Sequence, residues 1–372
     1  MKKFTLIASS LAVAFSLANA KEVVIGVVLP MTGAAATYGQ TAWQGVELAN
    51  KMQPTLANGD SVKVVLVDSK SDKVETATGA TRLIDQDKAV ALIGEMITGN
   101  TQQILQIADA KKIPAVAPAA TADKLLDTVK FGSRVTFQDS IQGEVAADFA
   151  TKSNLKNAVV VADQTTAYSL GLAKAFEKKF TANGGKVVKK LNISSGDKDF
   201  KAVASQIATL NPEFVYIPFY YTEAALLVRQ AKQIGVNAVF VGSDGIGNQT
   251  YIDLGGEAVN GTIFTDVFDY TKPETKLSED FVNEFEKANG NREVAGFTAL
   301  GADTYFILVN ALNKCEDQSG ECINNALHST QNFEGVSGTI SLDEKGNATR
   351  SVVLKVIENQ KPVYKDTIIP SK

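Results

Sequence analysis

The stretch AVALIGEMITGNTQQILQIADAKKIPAVA, residues 89–117, decides the fold. The apolar run Ala89 to Ile93 predicts a buried strand. Ile104, Ile107 and Ala108 recur at helical spacing within Asn100 to Ala110, and Ile113 to Ala117 predicts a second strand. Two buried strands flanking one amphipathic helix make a βαβ unit, and hence a parallel sheet. Right-handed crossovers then stack helices on both faces.

The same rhythm extends in both directions. Upstream, Val23 to Leu29 predicts a strand, Gln40 to Met52 a helix ending before Pro54, Ser61 to Val67 a strand and Val74 to Asp87 a helix. It restarts near residue 140 with a helix whose face is read as Ile141, Val145 and Phe149. Strands follow at Asn157 to Ala162, Val187 to Ile193, Phe214 to Ile217 and Ala238 to Val241. Helices from Ser169, Phe200 and Glu223 separate them. Two doubly wound α/β units are implied. The C-terminal third breaks the pattern, with helices at Ser278 to Asn289 and Ala299 to Leu312. Three strands then follow at Gly338 to Leu342, Ser351 to Ile357 and Pro362 to Ile369. Such a tail can serve either unit, so the chain is expected to cross between them more than once.

Residues 1–20 read as a cleaved export signal. Lys2 and Lys3 precede an apolar run to Leu17, and Ala18-Asn19-Ala20 gives the small-x-small cleavage pattern. The run is too short to stay as a membrane anchor. A buried N-terminal helix is the alternative. About 350 residues remain, enough for two domains, and the net charge falls from −4 to −6. That acidic balance argues against nucleic acid as a partner. In an oxidising compartment Cys315 and Cys322 are expected to pair around the polar loop Glu316 to Glu321, with two free surface thiols as the alternative.

In open α/β sheets ligands sit beyond the carboxyl ends of strands, where helix N-termini favour anions. The strand-end turns here carry Thr98, Thr121, the Asp163-to-Tyr168 stretch, Phe219-Tyr220-Tyr221 and Gly242-Ser243-Asp244-Gly245. The two threonines read equally as helix N-caps. Asp244 reads as a counter-ion for an ammonium or as a solvated turn residue. No G-x-G-x-x-G or P-loop follows a predicted strand, so no phosphate-bearing cofactor is expected. The single histidine, His328, reads as a surface residue in a polar stretch. It leaves no pair for a zinc site and no triad around a nucleophile elbow, so neither a metal nor catalysis is expected.

Ordered along the chain are Val24-Ile25-Gly26-Val27, Thr32-Gly33, Tyr38-Gly39, Pro118-Ala119-Ala120-Thr121, Gly184-Gly185, Asp197-Lys198-Asp199-Phe200, Phe214-Val215-Tyr216, Arg229-Gln230-Ala231 and Gly242-Ser243-Asp244-Gly245. In this order the sequence resembles the leucine/isoleucine/valine-binding proteins of ABC transporters, a type I periplasmic-binding-protein family, from about 22 to 368. The resemblance implies two Rossmann-like lobes joined by three hinge crossovers, near 138, 266 and 347. Lobe 1 would be 21–138 plus 267–346, and lobe 2 would be 139–266 plus 347–372. It further implies a monomeric periplasmic receptor that closes on an amino acid and docks on a membrane permease, with no cofactor.

By the same resemblance, Thr98 would bind the ligand carboxylate, and Thr121 both carboxylate and ammonium. Ala119, beside Ala120, would supply backbone groups. Asp244 would pair with the ammonium in place of the usual glutamate. Tyr38, Tyr168, Tyr220 and Phe297 would wall the side-chain pocket. Ser71 and Ile97 stand near a disulfide found in some members, and Ile97 would give an aliphatic contact instead. Ligands of other kinds, such as another amino acid, an amide or a small aromatic acid, remain open at this level.

Overall fold

The computed structural model describes residues 20–370. Apart from Ala20, the export signal read over 1–20 lies outside those residues. Among the described residues no helix is long and apolar enough to cross a membrane.

The N-terminal half alternates as expected. Strands β1 (Glu22–Leu29), β2 (Ser61–Asp68), β3 (Ala91–Gly94), β4 (Ala115–Ala117) and β5 (Gly132–Arg134) form one sheet in the order β2-β1-β3-β4-β5. Every pairing in it is parallel. Helices α1 (Ala36–Met52), α2 (Lys73–Asp85) and α3 (Thr98–Lys111) connect them. The β1, β3 and β4 side chains are almost wholly buried, which is why these strands read as continuous apolar runs.

The chain then enters the second lobe with α4 (Asp139–Lys152). Next come β6 (Asn157–Asp163), α5 (Ala167–Ala182), β7 (Lys186–Ile193), α6 (Lys201–Leu210), β8 (Phe214–Tyr216), α7 (Tyr221–Gln233), β9 (Val239–Gly242), α8 (Gln249–Gly255) and β10 (Ile263–Asp266). It returns to the first lobe with α9 (Lys276–Asn289) and α10 (Gly296–Leu312), the latter packed along α1. Helix α11 (Gly320–His328) and the short strands β11 (Phe333–Gly335), β12 (Gly338–Leu342) and β13 (Ala348–Thr349) follow. A third crossover then leads to β14 (Val352–Glu358) and β15 (Lys361–Ile368), which lie antiparallel at the edge of the second sheet. That sheet runs β15-β14-β10-β9-β8-β6-β7. The α/β architecture of two lobes with three crossovers is the one expected.

Some local readings change. The face of α4 is not Ile141–Val145–Phe149. Its buried residues are Asp139, Gln142, Gly143, Val145, Ala146, Ala147 and Ala150, with Ile141 and Phe149 only half-buried. The reason is close helix packing: a Cβ on Gly143 would meet the Leu172 carbonyl at 2.9 Å and the Phe176 nitrogen at 2.8 Å. Thr98 and Thr121 are not N-caps. Ile97 holds the cap position of α3 without a side-chain bond, and Thr121 precedes irregular turns. His328 ends α11 half-buried, its Nε2 3.0 Å from the Gly132 carbonyl. Cys315 and Cys322 are joined by a disulfide across the loop between α10 and α11.

Candidate functional site

The carboxyl ends of both sheets face each other across a cleft. Its lining is Tyr38, Met96, Thr98, Ala119, Tyr168, Tyr220, Asp244, Gly245 and Phe297. Seven of the ten residues singled out from sequence meet there. Ile97, Ala120 and Thr121 do not line it. The Ile97 N–H turns to Glu95 Oε2 at 2.8 Å, Ala120 packs into the apolar layer on the far face of the first sheet, and Thr121 is wholly buried. Met96 and Gly245 are additions; each neighbours a turn residue already named.

On the first-lobe side, three turns converge. Asp68 at the end of β2 holds the 31–35 turn by accepting from the Met31 N–H at 2.9 Å and the Thr32 hydroxyl at 2.7 Å. That turn sets the start of α1 and therefore Tyr38. Buried Glu95 accepts from the Ser69 hydroxyl at 2.6 Å, the Ile97 N–H and Asn100 Nδ2 at 3.1 Å, shaping the turn that presents Thr98. Burial raises its pKa, and these donors act against that rise. Because Ile97 offers no capping oxygen, the first N–H groups of α3 are left for another acceptor beside the Thr98 hydroxyl.

On the second-lobe side Asp244 is the centre. It is 4 % exposed, so the solvated-turn alternative falls away. Its Oδ1 accepts from Gln142 Nε2 at 3.0 Å and the Tyr168 hydroxyl at 2.6 Å. Gln142 is itself fixed: its Oε1 accepts from the Asp244 N–H at 3.1 Å and the Thr265 hydroxyl at 2.6 Å. Burial pushes the Asp244 carboxyl up to about 6, against the pull of Tyr168 and Gln142. Sequence reasoning missed Gln142 because the face of α4 was read through its large residues. The available signal was a glutamine three residues after an aspartate on a helix otherwise packed by alanine.

Aromatic rings close the walls. Tyr38 meets Phe297 edge-on at 5.1 Å and Tyr221 at 4.9 Å, and Tyr168 stacks on Tyr220 at 5.1 Å. Such pairs each add about 0.5–1.5 kcal/mol beyond area burial. Hydrogen bonds across the cleft include the Tyr38 hydroxyl to the Gly245 carbonyl, the Tyr221 hydroxyl to the Ala34 carbonyl at 2.7 Å, and the Thr37 and Thr250 hydroxyls at 2.7 Å. Chemically, the cleft offers donors for an anion on one side, a carboxylate for a cation on the other, and apolar rings between.

Comparison with known proteins agrees with this geometry. A periplasmic binding protein family profile matches residues 22–361. A leucine-binding protein LivK from Thermotoga maritima is 38 % identical, with a TM-score of 0.90 over 94 % of this chain and 99 % of that one. The branched-chain amino acid transporter substrate-binding protein LivJ from Streptococcus pneumoniae, solved with isoleucine, is 27 % identical, with a TM-score of 0.88 over 94 % and 100 %. An ABC transporter solute-binding protein from Rhodopseudomonas palustris, solved with benzoate, is 25 % identical, with a TM-score of 0.83 over 94 % and 97 %. By sequence, by fold and by the placing of its cleft between two lobes, the chain belongs to the periplasmic binding protein family.

Proposed function

We propose that this protein is an exported receptor that captures a branched-chain aliphatic amino acid, leucine, isoleucine or valine, and hands it to an ABC import permease. The lobes that close on it are taken as 21–138 with 267–346 and 139–266 with 347–372. The observation that carries the reading is Asp244, a buried carboxylate facing the uncapped start of α3 across an aromatic-walled cleft. A zwitterion needs both ends matched, because burying an unpaired charge costs several kcal/mol. Thr98 and the α3 N–H groups take the carboxylate, Asp244 takes the ammonium, and Tyr38, Tyr168, Tyr220 and Phe297 enclose the aliphatic part. The names of the LivK and LivJ relatives support the same ligand class.

Apolar walls separate neighbouring homologues weakly, by about 1–3 kcal/mol per methylene. Leucine, isoleucine and valine should therefore all bind. Calorimetry on protein unfolded, washed and refolded should show heat with each of the three. Silence with every aliphatic amino acid would overturn the reading.

The benzoate-bound relative and the ring-lined cleft favour a second reading, a small aromatic acid. Asp244→Ala separates the two. An amino-acid receptor loses its ligand in that variant, whereas a benzoate receptor keeps it.

A further inference from the structure

Far from the cleft, at the opposite end of the first sheet, Asp60 stands in front of β2 and is 8 % exposed. Its Oδ1 accepts from the backbone N–H of Lys21 at 2.8 Å. Its Oδ2 accepts from Asn58 Nδ2 at 2.9 Å and Gln318 Nε2 at 3.3 Å. All three donors are neutral amides. The Lys21 N–H is the main reason the Asp60 carboxyl is held below its ordinary range, with Asn58 and Gln318 adding to the pull.

The two sides of this contact are built separately. The Asp60 N–H donates to Asn58 Oδ1 at 2.9 Å, and its carbonyl accepts from the Leu56 N–H at 2.8 Å, which fixes the turn before β2. Gln318 belongs to the loop closed by the Cys315–Cys322 disulfide. The Lys21 carbonyl accepts from the Ser61 N–H at 2.9 Å, and Glu22 pairs with Ser61 in the β1–β2 register. The nitrogen of Lys21 is therefore aimed at Asp60 by the sheet itself. That nitrogen is also the one that cleavage after Ala18-Asn19-Ala20 would free, and both Ala20 and Lys21 are exposed.

We propose that Asp60 is the receptor for the α-ammonium group that export processing creates at Lys21, so that cleavage turns an amide contact into an ion pair. This rests on the export reading above. Hydrolysis of the Ala20–Lys21 amide by a signal peptidase adds one water: Ala20 leaves as a carboxylate, and Lys21 keeps the amine, which takes up the proton. The bond to Oδ1 then becomes charge-assisted, the stronger kind. A little-exposed carboxylate met only by neutral donors gains the cation it lacks. The mature chain is thereby fastened at its first residue to the β2 turn and the disulfide loop.

The test uses the full chain, expressed with its first twenty residues and recovered from the exported fraction. Intact mass gives the first residue, expected to be Lys21. Trace labelling with fluorodinitrobenzene across pH 7–10 titrates the α-amine, and tandem mass spectrometry separates it from the Lys21 side chain. The α-amine should titrate about one pH unit above that of the free peptide of residues 21–25, which is near the ordinary 7.7–8.0. Asp60→Asn should return it to the peptide's value. Because Asp60 holds the protonated amine, the stabilising effect is complete below about pH 7 and is lost as pH rises past about 9. The gap in melting temperature between parent and Asp60→Asn should narrow over that range, whereas a carboxyl that only braces the turn keeps it constant. Should Asp60→Asn fail to fold, the parent and the peptide alone decide. In a chain that begins at Lys21, an α-amine that titrates with the peptide's, or a shift that survives Asp60→Asn, overturns the Asp60 receptor and leaves the export reading standing. A cut at another bond also overturns this inference alone. A chain that keeps residues 1–20 overturns both.

Discussion

Asp244 shows what one residue's surroundings do to its chemistry. Burial lifts its carboxyl to about 6, so the ligand-free fold holds on to the proton more tightly than an exposed aspartate does, while the carboxylate still dominates at neutral pH. The folded pKa lies above the unfolded one. Its stabilising effect is therefore complete below about pH 4 and is lost as pH rises through about 6, a change on the order of 3 kcal/mol. Binding an ammonium has the opposite sign, because the carboxylate form is needed. Amino-acid affinity should fall at least about tenfold between neutral pH and about pH 5. Calorimetry across that range checks it, and a flat profile would detach Asp244 from the ammonium. Asp303 also sits at about 6, but it serves the crossovers and should move stability without moving affinity. Asp244 could be found from sequence because a carboxylate between glycines at a strand end is an unusual placement. Asp139 and Gln142 are harder to see, because the half-buried Ile141 and Phe149 draw the helix face away from them.

At the scale of elements, the cleft depends on how tightly α1 lies on α10. Their contact is made backbone to backbone. A Cβ on Gly45 would fall 1.9 Å from the Thr298 carbonyl oxygen, and one on Gly301 would fall 2.1 Å from that of Ala42. Tyr38 opens the first helix and Phe297 the second, so this close approach sets the 5.1 Å edge-on pair on the cleft wall. Gly45→Ala should therefore destabilise by about 1–3 kcal/mol, as overpacking does. It should also weaken ligand binding, since the two rings move apart. Urea unfolding and calorimetry read the two effects, and an unchanged urea midpoint would mean the helices part without cost. Periodicity made α1, α10 and most strands readable. It gave no hint of β5, Gly132–Arg134, where a polar tripeptide is buried because Arg134 finds carbonyl acceptors at the sheet edge. Strand β10, Ile263–Asp266, is only one residue longer and equally easy to miss.

At the scale of the whole molecule, the three crossovers are bound to one another by a single guanidinium. Arg350, in the third crossover and 4 % exposed, donates to the Val135 carbonyl in the first at 3.1 Å and the Val267 carbonyl in the second at 2.8 Å. It also donates to the Ser337 carbonyl at 2.6 Å and the Ser337 hydroxyl at 2.8 Å, and Ser337 in turn is held by Asp303. Nearby, Lys355 of β14 pairs with Asp266 at 3.0 Å and Asp269 at 3.5 Å, all three buried. Sequence reading places crossovers near these positions but cannot see that an arginine 215 residues from Val135 joins them. Closing two lobes on a ligand needs crossovers that bend together, because hinge motion is carried by a few terminal residues of elements. Arg350→Met would leave the Val135, Val267 and Ser337 carbonyls without this donor, and Asp303 without its nearby positive charge, in a buried setting. The expected loss is about 3–5 kcal/mol, read as a lower urea midpoint. The cleft residues are untouched, so leucine should still bind the folded variant. The crossovers would be freer to bend, and the X-ray scattering radius of the ligand-free variant should exceed that of the parent. An unchanged midpoint and radius would show that the crossovers are held by the Lys355 cluster and strand pairing alone.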